Sequence, residues 1–219
     1  MTLPQNGAMA GEGDVVQAVR PMTETLLRVA DAGQELASGT KYPDAGSTAM
    51  MELANEQKLQ GSAVLGEPIQ MAHSMGGVLA FASADHIRNY ALSFQSNPVP
   101  VYSHLVVARA CLDACSVSAW LSEDEIGVVR RAQRALVVRI SSAKQLKRSP
   151  IPEVKQRGKA IRDQCIAGAA AAGWQCETNW KSDASPEVGG ERLPSAKQAI
   201  SAVLGDDPTD SSSRLGPVL

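Results

Sequence analysis

The sequence predicts an all-α protein, an up-and-down bundle of about six helices between flexible ends. Three observations carry that expectation. Aromatic residues make up only 4% of the 219 residues against 44% hydrophobic in all, so the core is built from Ala, Leu, Val, Ile and Met, which suit close-packed helices. Apolar residues recur at spacings of three and four along residues 14–204. Clusters of Pro, Gly and Ser cut that pattern into helix-length pieces. The formal net charge of -2 and pI near 5.9 supply no global basic field to draw the chain to nucleic acid or anionic membrane.

Residues 1–13 are Gly-rich and aperiodic and read as a mobile tail. Asp14 then caps a helix running to about Leu36, with a break expected at Pro21. Ser47 or Thr48 starts a short helix through Leu59, and Gly61 and Gly66 punctuate the next connection. Pro68 opens a long helix whose buried side is expected to carry Met71, Met75, Val78, Leu79, Ala82, His86, Tyr90 and Phe94. The Gly76-Gly77 pair inside it costs helix stability and calls for a close helix approach or a kink.

The helix from Pro100 to Leu121 is apolar nearly all round and is expected at the centre of the bundle. Ser122, followed by Glu123, Asp124 and Glu125, reads as the cap of an Arg-rich helix to about Arg148. Its Arg130, Arg131 and Arg134 belong to a basic face expected on the surface, with RNA or phosphate as the ligand it suits. A helix over Glu153 to Ala172 ends at Gly173, and Trp174 and Trp180 pack the following turn onto the bundle. Lys181 to Leu193 reads as a polar loop, Pro194 as the start of a brief helix to Leu204, and residues 205–219 as a tail or the beginning of a helix that the chain does not complete.

The candidate site is a polar patch formed by Asp85, His86, Arg88, Arg109 and Asp113, brought together by two helices within an apolar bundle. Arg109 and Asp113 stand four apart and can pair, and burying either alone is costly. Cys111 and Cys115 lie one turn apart; packing is the reading taken for them over metal ligation with Cys165, Cys176 or a histidine, because structural zinc sites use short knuckles on turns. No metal and no cofactor is expected.

Other motifs tempt. AHSMGG nearly matches the nucleophile elbow of α/β-hydrolases with Ser74 as nucleophile, but no strand pattern precedes it and no histidine follows residue 104. DDPTD (Asp206, Asp207, Asp210) spells an aspartate-rich magnesium motif, placed in a turn by Pro208 and its polar flanks. The N-terminus has no signal-peptide pattern and no apolar run approaches the roughly 18 residues of a membrane span, so a cytoplasmic protein without membrane contact is expected.

ADHIRNYAL, the Pro100-Val101-Tyr102-Ser103 segment and LVVARACLDACSVSAWL, followed by an Arg-rich helix, resemble a group of uncharacterised actinobacterial helical proteins similar to HEPN-like domains. The resemblance covers about residues 83–140 and the Pro194-Ser195 segment. It implies a helical module that binds RNA, a nucleotide or a protein partner. In it Arg109 and Asp113 are the core polar pair, faced by Asp85 and His86, with Asp85 and Arg88 among the binding residues. If the module cleaves RNA, His86 is the group that would move a proton and Arg109 or Arg88 the one that would hold the phosphate. This chain lacks the HEPN ribonuclease pattern of an arginine, four to six intervening residues, then a histidine. The alternative reading is a non-catalytic helical protein that forms a homo-oligomer, its charges only setting the packing.

Overall fold

The computed structural model describes residues 12–39, 43–96, 102–178, 184–195, 197–198 and 201. Pro100, Trp180, the DDPTD segment, the C-terminal tail and residues 1–11 of the N-terminal tail lie outside them. Helices α1 (Glu12–Gly39), α2 (Thr48–Asn55), a 3-10 turn (Glu56–Lys58), α3 (Ser62–Leu65), α4 (Pro68–Ser93), α5 (Ser103–Ser122), α6 (Gly127–Lys147) and α7 (Pro152–Ala171) make up the expected helical bundle. Three two-residue strands follow: β1 (Cys176–Glu177), β2 (Glu187–Val188) and β3 (Glu191–Arg192), paired antiparallel in the order β1-β2-β3.

Local chemistry explains most boundaries. The Ser47 hydroxyl accepts from the Met50 amide at 3.3 Å and starts α2. Pro68 sits in the first turn of α4, where its missing N–H costs nothing. The free amides there are met by a distant carboxylate: Glu56 Oε1 accepts from Ile69 N at 2.5 Å and from Gln70 N at 3.4 Å. At the end of α7, Gly173 has φ +75°, its amide bonds to Ala170 O, and the Trp174 amide reaches back to Ala169 O at 2.9 Å, closing the helix in a Schellman arrangement.

Several boundaries differ from expectation. α1 runs without a break through Pro21. α6 begins at Gly127 rather than Ser122, because residues 123–126 are drawn into a loop whose carbonyl at Glu123 is held by Arg131. Part of the expected polar loop is a β-hairpin. Gly189 and Gly190, both at positive φ, form its two-residue turn, and the register pairs Val188 with Glu191.

The packing order is the larger correction. α4 lies against both α1 and α5. Its buried residues are small, Ala72, Gly76, Ser83, Ala84 and Ala91 beside Pro68 and Ile69, whereas Val78 of the expected stripe is exposed. Small residues win because backbones come close: a Cβ on Gly76 would stand 2.9 Å from Ser122 Oγ, and Ser118 Oγ donates to Gly76 O at 2.9 Å. Gly76 is thus explained by a close approach of α4 and α5, whereas a Cβ on Gly77 would meet open space.

α6, not α5, is the central helix. Every residue from Arg131 to Val138 is buried, and Leu136, Val137 and Ile140 form the main core with Leu65, Cys165, Ala169 and Val188. α7 approaches α6 at Gly158, where a Cβ would stand 2.8 Å from Ala143 O. α5 lies at the side of the bundle. Among the described residues, Ser103–Ser122 is apolar enough by length and composition to cross a membrane, with mean hydropathy 1.4, although the sequence reading expected no such stretch.

Candidate functional site: a charge-locked core beside an exposed helix face

The expected patch does not assemble. Arg109 Nε donates to both carboxylate oxygens of Asp113 at 3.0 Å, but the pair sits on the outer side of α5 with the arginine side chain 66% exposed. It is therefore not the core polar pair that the resemblance implies. Arg88 turns to α1 and donates to Asp31 and Gln34, both at 2.6 Å. Asp85 is exposed and accepts from Asn89 at 3.1 Å, and His86, on the same helix, joins none of the other four residues through a hydrogen bond or ion pair.

The Arg-rich helix departs further from expectation. Arg131 and Arg134 are 1% and 3% exposed, so they are not part of a solvated basic face. Arg131 Nε lies 2.5 Å from Glu52 Oε2 as an ion pair without hydrogen-bond alignment, while its terminal nitrogens donate to Leu121 O and, at 2.9 Å, to Glu123 O. Arg134 donates to Trp120 O at 2.5 Å, Glu123 Oε2 at 2.6 Å and Glu191 Oε2 at 2.8 Å, with its guanidinium 4.9 Å above the Trp120 ring. Two arginines thereby satisfy the free carbonyls that end α5 and favour its negative pole.

Arg130 is more exposed and donates to Glu191 Oε1 at 2.6 Å. Burial alone would push the Glu191 carboxyl up; hydrogen bonds from Arg134 and Arg130 and their charge outweigh it, so its pKa lies below the ordinary value. The β2–β3 hairpin is what delivers this carboxylate. Glu52, Glu56, Glu123 and Glu191 were all missed in the sequence. The one signal available was that Arg131 and Arg134 fall among Ala132, Ala135 and Leu136 on the buried stripe of α6.

His73, also missed, borders this network. Its Nε2 is 3.1 Å from Glu52 Oε2. Burial and the neighbouring Arg131 charge lower its pKa, against the pull of Glu52, and leave the imidazole neutral near pH 7. With Ser74 it lines a cleft of about 750 Å³ whose wall includes Ala37, Pro43, Leu53 and Val78. The Ser74 hydroxyl makes no hydrogen bond to His73 or to any other described residue, so none of the described residues activates it as a nucleophile.

The outer face of α5 is the second feature. Leu105 and Val106 are 58% and 69% exposed, Tyr102 and Leu112 are exposed beside them, and the Arg109–Asp113 pair lies among them. On the opposite side Cys111 and Cys115 face α4, with Cys111 Sγ 3.7 Å from Ser83 O. The hydrogen bond from Cys111 lowers the Cys115 pKa, desolvation opposes it, and a bond from Ser83 adds to it; the result is about 6, while Cys111 is pushed up in turn.

Compared with protein-family models, curated proteins and solved structures, the chain matches none.

Proposed function

We propose that this protein is a non-catalytic helical interaction module that works as a homodimer, with α5 pairing antiparallel against α5 of a second copy. The observation that supports this reading is the position of α5: a helix with an 18-residue stretch of mean hydropathy 1.4, of which only 17% is buried. An apolar stripe of that kind is stabilised by a core, a lipid phase or a partner. The core is occupied by α6. Lipid would meet Arg109 and Asp113 at mid-helix, where a charged side chain costs about 2.5–3.5 kcal/mol on insertion scales.

A second copy makes use of the same two charges. Antiparallel pairing about a two-fold axis level with Cys111 reverses their order, so each Arg109 meets the other copy's Asp113, as a self-complementary isologous contact requires. Tyr102, Leu105, Val106 and Leu112 flank the charges and supply the apolar contact. The RNA-binding reading has less support, since Arg130, Arg131 and Arg134 are all engaged with carboxylates or carbonyls of the chain itself.

Sedimentation equilibrium at micromolar concentration tests the dimer. Val106→Glu and the single charge reversals Arg109→Asp and Asp113→Arg are expected to give monomers, and the double reversal R109D/D113R is expected to restore the dimer. A monomeric parent protein, or co-flotation of the protein with phosphatidylcholine vesicles, would overturn the reading.

A further inference from the structure

We propose that the cleft walled by the end of α1, α2 and the first turns of α4 is a binding site for a small neutral molecule with an apolar body and a hydroxyl group, and that His73 accepts the hydroxyl hydrogen bond. The cleft holds about 750 Å³, within the range of small-ligand sites. Ala37, Pro43, Ala49, Leu53 and Val78 make most of its wall apolar.

The chemistry of the polar part follows from which groups are already committed. His73 is neutral near pH 7 for the reasons given above, and a neutral imidazole carries one N–H and one lone pair. Nε2 faces the Glu52 carboxylate at 3.1 Å, so Nε2 bears the proton and donates. The lone pair is therefore on Nδ1, which has no partner among the described residues. A carboxylate-held imidazole with its other nitrogen unpaired is an oriented acceptor.

Among the described residues, charge selects against ions. The Arg131 guanidinium behind the histidine is only 1% exposed and its charge is paired with Glu52, so it is not presented to an anionic ligand. Glu52 Oε2 is shared by Arg131 and His73, and Glu56 Oε1 accepts two backbone amides of α4. Among the described lining residues the polar groups left to a ligand are Gln70, His73, Ser74 and Ser122, all uncharged at neutral pH. An alcohol offers the donor that Nδ1 lacks and places its hydrocarbon part against the aliphatic wall.

The test compares cyclohexanol with cyclohexanone, which has the same ring but no O–H donor, using long-range proton–nitrogen NMR of the histidine side chains in the full chain. Cyclohexanol is expected to shift Nδ1 of His73 and to bind about ten-fold more tightly than the ketone, the preference of one hydrogen bond. In His73→Phe the two probes are expected to bind equally. Gly77 lines the cleft and has open space where a Cβ would stand, so Gly77→Leu fills the cleft without straining α4 and is expected to abolish binding of both probes. Equal binding of the two probes to the parent protein, a preference that survives in His73→Phe, binding unaffected by Gly77→Leu, or no shift at millimolar cyclohexanol would each overturn the proposal. The site is separate from the α5 face, so Val106→Glu is expected to leave the cyclohexanol response unchanged.

Discussion

Two arginine–carboxylate pairs in this chain look alike on paper and do opposite work. Arg109–Asp113 and Arg131–Glu52 are both within ion-pair distance, at 3.0 and 2.5 Å. The first is exposed and local, four residues apart on one helix. The second is buried, joins α6 to α2, and closes the end of α5 through its remaining donors. The α5 side of the molecule therefore presents apolar surface with a charge pair among it, while the α6 side holds charge inside an apolar core. Desolvation separates them: an exposed pair gains little over water, whereas a buried one must be fully matched or the fold loses several kcal/mol.

Breaking the buried pair is the largest expected effect. Arg131→Ala leaves Glu52 buried without its cation and the carbonyls of Leu121 and Glu123 without a donor, and is expected to cost about 3–5 kcal/mol in chemical denaturation. A loss under 1 kcal/mol would erase the distinction between the two sides. Gly158→Leu is expected to cost about 1–3 kcal/mol, because the new side chain must displace the α6 backbone at Ala143 O.

The pH dependence sharpens the same contrast. The fold lowers the His73 pKa from its ordinary 6.5, so between the lowered value and 6.5 the unfolded chain binds more protons. Stability therefore falls as pH drops below about 6.5, with a slope of at most about 1.4 kcal/mol per pH unit. His73→Gln is expected to flatten that slope; an unchanged denaturation profile between pH 6.5 and 5 would contradict it. Glu191 acts lower on the scale: its depressed pKa contributes stability that is present above its ordinary 4.5 and lost as pH falls through the folded value.

On the α5 side the effects on folding are small. Arg109→Ala is expected to change the stability of the monomer by no more than about 0.5 kcal/mol, read in a Val106→Glu background that removes association. Smallest of all in stability is the chemistry of Cys115, whose thiolate forms as pH rises through about 6. Its alkylation by iodoacetamide is expected to outpace that of Cys165, whose thiol burial pushes up to about 11. Mass spectrometry of the first modified site at pH 7 checks this.

Much of the fold was legible along the chain. Ser47, Pro68, Pro152 with Glu153, and Gly173 mark helix ends through capping, fixed φ and positive φ, and each acts on residues within one turn of itself. The Gly189-Gly190 turn was equally local, but the flanking strands are two residues long and offer no alternation to read. The candidate site was less legible. Arg131 and Arg134 are buried because their partners come from α2, the end of α5, the loop of residues 123–126 and β3, with Glu191 57 residues from Arg134, and no spacing along α6 encodes those partners.

The sequence by itself determined an all-α class, many of the places where helices begin and end, and that Gly76 calls for a close approach or a kink. Tertiary structure alone decided which helix is central. α5 is the more apolar, with a mean hydropathy of 1.4, yet α6 takes the core. Its arginines bring enough matched carboxylates and carbonyls to be buried without an unpaired charge, and its Ala132, Ala135 and Leu136 pack between them.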